Sequence, residues 1–137
     1  MSDRHIKRFF EMAKRASEFG EHRRNKLGCV ITYKNRVISV GWNLQKENPM
    51  QKEYNKCRGF DVDRYSNYIH AEIKALISIR DIDIDWSKVS VFTYREYRNG
   101  EMAMSRPCPA CMKAILDMGI KNVYYTCKGK FVHEMIQ

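Results

Sequence analysis

Two short stretches, His70-Ala71-Glu72 and Pro107-Cys108-Pro109-Ala110-Cys111, decide the fold and the chemistry that this chain can support. Zinc binds histidine and cysteine side chains readily, and three protein ligands leave the fourth tetrahedral position open for water. Zinc lowers the pKa of such a water molecule toward neutrality. We therefore predict a catalytic zinc site with His70, Cys108 and Cys111 as its ligands. Glu72 is the carboxylate expected to move protons beside it.

A structural zinc site is the alternative interpretation of the same stretches. Structural sites normally have four protein ligands, and Cys57 could supply a fourth only from within a long loop. A structural site would also have no role for the acidic residue that follows the histidine. The spacing therefore favours catalysis. Cys57 is expected to be a free thiol, with a second zinc site as the alternative.

Both groups of predicted ligands lie at the start of a predicted helix. Apolar residues recur at helical spacing over residues 69–80, and a second helix over residues 108–118 stops at Gly119. The free N–H groups and the dipole at a helix N-terminus favour a thiolate over a thiol. This placement suits a metal site.

The rest of the chain alternates between helical and strand patterns. We predict an amphipathic helix over residues 2–19 and a structureless loop over residues 44–68. Strand patterns cover residues 27–33 and 36–42 as a hairpin, then 89–93, 120–126 and 131–136, while Asn99-Gly100 predicts a ribbon of residues 94–98 with 101–105. This order indicates an α/β fold in which helices cover a mixed sheet.

The short tail constrains how the last two strands pair. Only 11 residues follow Thr126. A parallel connection needs a dozen or more residues before the next strand begins. We therefore predict that the last two strands are antiparallel.

Length and composition favour one domain over residues 1–137. The chain has 137 residues, of which 44% are hydrophobic, and this is enough for an ordinary core. Neither a membrane span of roughly 20 apolar residues nor a signal peptide is apparent, so a cytoplasmic protein is expected. Five cysteines, two of them assigned to metal, argue against a disulfide framework.

The charge balance points to an anionic partner. The net charge is +9, and the basic residues are densest near the N-terminus. A nucleotide phosphate, single-stranded nucleic acid or tRNA would suit this balance. A solvated basic surface without a ligand is the alternative.

The pattern H-x-E followed by P-C-x-x-C is the signature of zinc-dependent nucleobase deaminases, and it is complete here. Over most of its length the chain resembles the cytidine/deoxycytidylate deaminase superfamily. The resemblance implies a three-layer α/β/α fold of the cytidine-deaminase type, with a mixed five-stranded sheet and helices on both faces. It also implies a Zn²⁺-dependent hydrolase, often a homo-oligomer, in which Glu72 is the general acid and base.

The same resemblance assigns two substrate contacts. Asn43, in Gly41-Trp42-Asn43, matches the position at which superfamily members contact the sugar of the substrate. Ala71 matches the residue that lends its backbone N–H to the base, and a small side chain there lets the base approach the metal. Without the resemblance, Asn43 would be a residue that closes a strand or starts a turn.

Different stretches of this chain resemble different branches of the superfamily. Residues 105–111 and 119–124 look like the deoxycytidylate deaminases, and residues 35–43 and 70–73 are similar both to that branch and to tRNA adenosine deaminases. The antiparallel tail looks like the free-cytidine deaminases, but their motif, an Asn followed two residues later by Glu, is absent after Asn43. The tRNA enzymes grip the anticodon loop with a C-terminal helix, which the short tail does not supply. Cytosine is therefore favoured over adenine.

We predict that the substrate is a free (deoxy)cytidine nucleotide such as dCMP. The alternative is cytosine in single-stranded DNA or RNA, whose bases could stack on Tyr54, Tyr65 and Tyr68 in the long loop, although these tyrosines could equally cover the core. Arg95, Arg98 and Arg106 flank the predicted ribbon and are candidates for phosphate contacts. A non-catalytic relic that only binds nucleotides is a third possibility, and the intact Glu72 argues against it.

Overall fold

The computed structural model describes residues 1–22, 24–59 and 61–137. In these residues the chain forms, in order, α1 (Asp3–Ser17), β1 (Leu27–Tyr33), β2 (Arg36–Trp42), α2 (Pro49–Asn55), α3 (Ala71–Ile77), β3 (Val89–Arg95), α4 (Pro109–Asp117), β4 (Asn122–Cys127) and β5 (Lys130–Met135). Single turns of 3-10 helix cover Lys56–Arg58 and Trp86–Lys88. None of the helices in the described part of the chain is long and apolar enough to span a membrane.

The strands form one mixed sheet in the order β2-β1-β3-β4-β5. β1 is antiparallel to both β2 and β3, β3 is parallel to β4, and β4 is antiparallel to β5. The first hairpin turns at Lys34 and Asn35, both with positive φ, as a two-residue turn between twisted strands requires. The antiparallel β4–β5 pair is the arrangement that the short tail predicts.

Helix α1 covers one face of the sheet. Its Phe9, Phe10 and Ala13 are buried against Phe92 and other residues of that face. The rings of Phe9 and Phe10 lie 5.2 and 5.4 Å from the ring of Phe92. The amphipathic N-terminal helix predicted for residues 2–19 is therefore present, shortened by the cap at Ser2 and by an end at Ser17.

Helices α3 and α4 cover the opposite face. Ile73 and Leu76 of α3 pack with Ile115 of α4 in a second buried cluster, which also contains residues of β1, β3 and β4. The chain thus has the three-layer α/β/α arrangement expected of it, and this arrangement brings the starts of α3 and α4 together at one end of the sheet.

The prediction of a structureless loop over residues 44–68 is wrong. This segment contains α2, which is capped by Asn48 and has Pro49 in its first position. A helix of seven residues is too short to display an apolar period, and its buried residues, Gln51 and Asn55, are polar. The signal that could have identified it is Asn48-Pro49, a common helix start.

Candidate active site

The three predicted zinc ligands converge at the starts of α3 and α4. His70 is the residue before α3, Cys108 is the residue before α4, and Cys111 lies in the first turn of α4. The Nδ1 atom of His70 lies 3.3 Å from Sγ of Cys111 and 3.5 Å from Sγ of Cys108. Bonds of about 2.0 Å to nitrogen and 2.3 Å to sulfur at tetrahedral angles would place N and S about 3.5 Å apart. The cluster therefore has the dimensions of a zinc site.

The two cysteines differ in their affinity for protons. The hydrogen bond from Cys111, followed by that from His70, lowers the pKa of Cys108 to about 3. The same hydrogen bond to Cys108, together with burial, raises the pKa of Cys111 well above its usual value. One thiolate therefore stands ready for a metal, and Cys111 must release its proton when a metal binds.

Glu72 lies in the first turn of α3, beside the metal ligands, and only 3% of it is exposed. Burial raises the pKa of its carboxyl group, although the charge of His70 opposes this effect. A carboxyl group with a raised pKa can both take up and return a proton near neutral pH. The geometry thus places a carboxyl group suited to proton transfer beside a three-ligand metal cluster.

A cavity of about 380 Å³ opens onto this cluster, a size typical of small-molecule sites. His70, Glu72 and Cys108 line its metal end. Its other lining residues are largely polar or basic: His22, Asn25, Leu27, Asn43, Leu44, Gln45, Asn55, Arg58, Ser66, Tyr68, Ile69, Arg95, Met104, Ser105 and Arg106. Glu72 is the only carboxylate among the lining residues that the structure describes, so the cavity suits an anionic ligand.

Asn43, the predicted sugar contact, lies in the cavity wall. Its Oδ1 accepts a hydrogen bond from the backbone N–H of Leu27, and its Nδ2 donates one to the backbone carbonyl of Asn25. Each polar atom of the amide can make one further hydrogen bond. Asn43 is therefore fixed in orientation and still able to bind a hydroxyl group.

Ala71, the predicted contact to the base, is the first residue of α3 and is fully buried. The backbone N–H of a residue at this position has no partner inside the helix. A Cβ atom built on Gly41 of β2 would lie 2.2 Å from the carbonyl oxygen of Ala71. The absence of a side chain at Gly41 therefore lets β2 approach the start of α3 closely.

Two glycines allow this close packing to be tested. In Gly41→Ala the new methyl group would collide with the backbone of α3, whereas in Gly28→Ala it would lie 1.9 Å from the carbonyl oxygen of Ala13 in α1. Each change should lower the free energy of unfolding by about 1–3 kcal/mol or more. Only Gly41→Ala displaces the helix that carries Glu72, so zinc affinity should fall in this variant alone. Equal zinc affinities in the two folded variants would contradict this account.

A chain of buried amides supports the metal end of the cavity, and sequence reasoning missed it. Oε1 of Gln51 accepts the backbone N–H of His70 at 2.9 Å, and its Nε2 donates to Asn55 at 2.8 Å. Asn55 donates in turn to Asn67, whose amide holds the carbonyls of Val62 and Tyr65. The chain thus connects a metal ligand to the loop beside the cavity.

We expect Gln51→Leu to damage both folding and metal binding. The change leaves the N–H of His70 and the Oδ1 of Asn55 buried without partners, at a cost of about 1–3 kcal/mol for each group. Loss of such supporting hydrogen bonds typically weakens metal binding by about 10- to 100-fold. Denaturant unfolding and zinc titration measure the two effects, with Lys52→Gln on the exposed side of α2 as the control. A Gln51→Leu variant indistinguishable from this control would refute the role assigned to the amide chain.

The remaining predicted site residues, the loop tyrosines and Cys57, do not all lie at the cavity. Of the three loop tyrosines, only Tyr68 lines the cavity, and Tyr54 donates its hydroxyl hydrogen bond to Asp117 instead. Burial and this hydrogen bond raise the pKa of Tyr54 to about 12. Cys57 is exposed and belongs to no group of three candidate metal ligands among the described residues.

Comparisons with known proteins agree with this site. The family described as the cytidine and deoxycytidylate deaminase zinc-binding region matches residues 3–127. A protein called an uncharacterized deaminase in the luxG 3′ region of Aliivibrio fischeri is 27% identical over 125 residues, which are 90% of this chain and 74% of that protein. A probable deoxycytidylate deaminase of Drosophila melanogaster is 23% identical over 71% of this chain and 46% of its own length.

Solved structures share the fold. The dCMP deaminase from the cyanophage S-TIM5, in complex with dCMP and dUMP, superposes with a TM-score of 0.61 at 21% identity, covering 90% of this chain and 81% of the other. The cytidine deaminase from Burkholderia pseudomallei superposes with a TM-score of 0.64 at 19% identity, covering 98% and 93%. The family match spans most of the chain and includes the cluster of His70, Cys108 and Cys111. This chain therefore belongs to the cytidine and deoxycytidylate deaminase family of zinc-dependent hydrolases.

Proposed function

We propose that this protein hydrolyses the exocyclic amine of cytosine in a free (deoxy)cytidine nucleotide such as dCMP, giving the uracil nucleotide and ammonia. The observation that carries the proposal is the buried Glu72 beside a three-ligand metal cluster, in a cavity whose other lining residues are largely polar or basic. A zinc ion bound by His70, Cys108 and Cys111 supplies Lewis-acid chemistry that lowers the pKa of water toward neutrality.

Glu72 manages the protons of the reaction. Water adds to C4 of cytosine while Glu72 takes up a water proton, and Glu72 then protonates the ring nitrogen. The second proton from water goes by the same carboxylate to the amine, which leaves as ammonia. Cytosine and water thus become uracil and ammonia, and Glu72 returns to its starting state. Positioned proton transfer of this kind contributes about 10²- to 10⁴-fold to the rate.

Ala71 and Asn43 orient the substrate in this proposal. The N–H of Ala71, at the start of α3, is suited to a carbonyl of the base. Asn43 is suited to a sugar hydroxyl, because its amide is held by Leu27 and Asn25. The homo-oligomer implied by the family resemblance stays a prediction.

Cytosine in single-stranded DNA or RNA is the alternative substrate, and one observation favours it. A second groove of about 340 Å³ lies near the cavity and carries Arg24, Lys26 and Arg98. These cations could bind further phosphates of a strand. Glu18 and Glu96 line the same groove and reduce its positive charge. The first cavity, of about 380 Å³, has the size of a small-molecule site, so we favour the free nucleotide.

A substrate panel separates the two possibilities. Zinc-loaded protein would be incubated with deoxycytidine, dCMP, dCTP and a cytosine-containing single-stranded oligonucleotide, and ammonia release would be measured at several salt concentrations. We expect conversion of dCMP with a shallow dependence on salt. Conversion of the oligonucleotide alone, with the steep loss at high salt that counterion release produces, would reject the free nucleotide as substrate. Conversion of none of these substrates would reject cytosine deamination.

A further inference from the structure

Arg95 occupies an unusual position at the end of β3. It lines the substrate cavity, pairs across the sheet with Leu27, and donates a hydrogen bond from Nη2 to the side-chain oxygen of Asn25. Its Nε atom is buried and has no acceptor among the described residues. A buried donor without an acceptor is costly, so the contacts of Arg95 within the described chain do not account for its place in the cavity wall.

The other two arginines that the sequence singles out are placed differently. Arg106 also reaches the cavity, but it donates two hydrogen bonds to Glu134, at 3.0 and 3.1 Å. Arg98 lines the neighbouring groove with Glu96. For Arg95 no carboxylate lies within ion-pair distance in the described part of the chain. Its charge is therefore left for a ligand.

Hydrogen bonds join Arg95 to the residue proposed to contact the sugar. Asn43 donates to the backbone carbonyl of Asn25 at 2.6 Å, and the side chain of Asn25 accepts from Arg95. Hydrogen bonds thus connect Asn43, Asn25 and Arg95 in the cavity wall, and Glu72 and Cys108 line the same cavity. In a nucleotide the sugar joins the base to the 5′-phosphate, so a nucleotide whose sugar lies at Asn43 would bring its phosphate toward Arg95.

We propose that Arg95, oriented by Asn25, binds the 5′-phosphate and makes the enzyme prefer a nucleoside monophosphate over the nucleoside. This proposal rests on the proposed function, because it assumes that the base lies at Glu72 and the sugar at Asn43. Guanidinium groups bind phosphate through two parallel N–H donors, which a lysine does not provide. A phosphate in the cavity would supply the anionic partner that Arg95 lacks among the described residues.

The test compares two substrates that differ only in the phosphate. The ratio of kcat/KM for dCMP to kcat/KM for deoxycytidine would be measured in the wild type and in Arg95→Gln. We expect Arg95→Gln to lower this ratio by about 10- to 100-fold, the range for a charge-assisted hydrogen bond. The loss should lie mainly in KM for dCMP, because the phosphate is remote from the reacting atoms. Arg36→Gln, at an exposed position of β2 outside the cavity, is the matched control, and its ratio should remain unchanged.

The other outcomes separate this proposal from the proposed function. A wild type that deaminates both substrates with no preference for dCMP would overturn the role of Arg95 and leave the deaminase assignment standing, as would an unchanged ratio in Arg95→Gln. A wild type that converts neither substrate would refute the proposed function itself. If Arg95→Gln does not fold, Arg95→Lys replaces it. Arg95→Lys should lower the ratio of kcat/KM for dCMP to kcat/KM for deoxycytidine, and it should weaken competitive inhibition by inorganic phosphate. If neither quantity differs from the wild type, the proposal is overturned.

Discussion

Glu72→Gln is expected to reduce deamination by at least about 10²- to 10⁴-fold while zinc remains bound. Glutamine has nearly the same shape as glutamate but cannot carry a proton between water, the ring nitrogen and the leaving amine. Glu72 is not one of the three ligand side chains of the cluster. The change should therefore affect kcat far more than zinc content.

The measurements are turnover of dCMP and the zinc content of the purified variant. Because Glu72 is almost completely buried, the neutral amide avoids the cost of burying a charge, and thermal stability should not fall. Glu101→Gln, at an exposed position in the turn after β3, is the control and should behave as the wild type does. Near-normal turnover in Glu72→Gln would show that another group moves the proton.

Cys108→Ser is expected to abolish both zinc binding and turnover. A serine hydroxyl is not among the side chains that bind zinc well, so the variant retains two ligands where three are needed. Stability should depend on zinc in the wild type, because a metal that binds the folded state stabilises it by about 2.7 kcal/mol when free zinc is 100 times Kd. The variant should lack this dependence.

Metal analysis and thermal unfolding with and without added zinc measure these effects. Cys57→Ser is the matched control, because Cys57 is an exposed thiol outside the ligand cluster. This control should retain zinc and activity. A loss of zinc from Cys57→Ser would instead support the second zinc site that the sequence left open. Full zinc content in Cys108→Ser would contradict the assigned ligands.

The strands and the metal ligands were predictable because their signals are local. β1 and β2 have the predicted bounds, since alternation and the Lys34-Asn35 turn lie within a single hairpin. The ligands His70, Cys108 and Cys111 form a motif whose spacing alone indicates zinc. The ribbon predicted at Asn99-Gly100 is present as a short bridge between Glu96 and Met102.

The hydrogen bonds that hold the site residues in place were not predictable, because they join segments that are distant in the sequence. Gln51 and Asn55 are one turn apart on a short helix, but their partners, His70 and Asn67, follow later in the chain. Nothing in the sequence relates Asn25 to Arg95, which are brought together by the pairing of β1 with β3. Three arginines near one ribbon look equivalent in sequence, and only their neighbours in the fold distinguish them.

The most direct test of the account is the reaction of dCMP with the zinc-loaded enzyme in water enriched in heavy oxygen. Mass spectrometry of the product and an ammonia assay would be run on the same samples. We expect dUMP with one heavy oxygen in the base and one ammonia released for each dUMP formed, and neither product with Glu72→Gln. Unchanged dCMP, or dUMP formed at the same rate by Glu72→Gln, would contradict it.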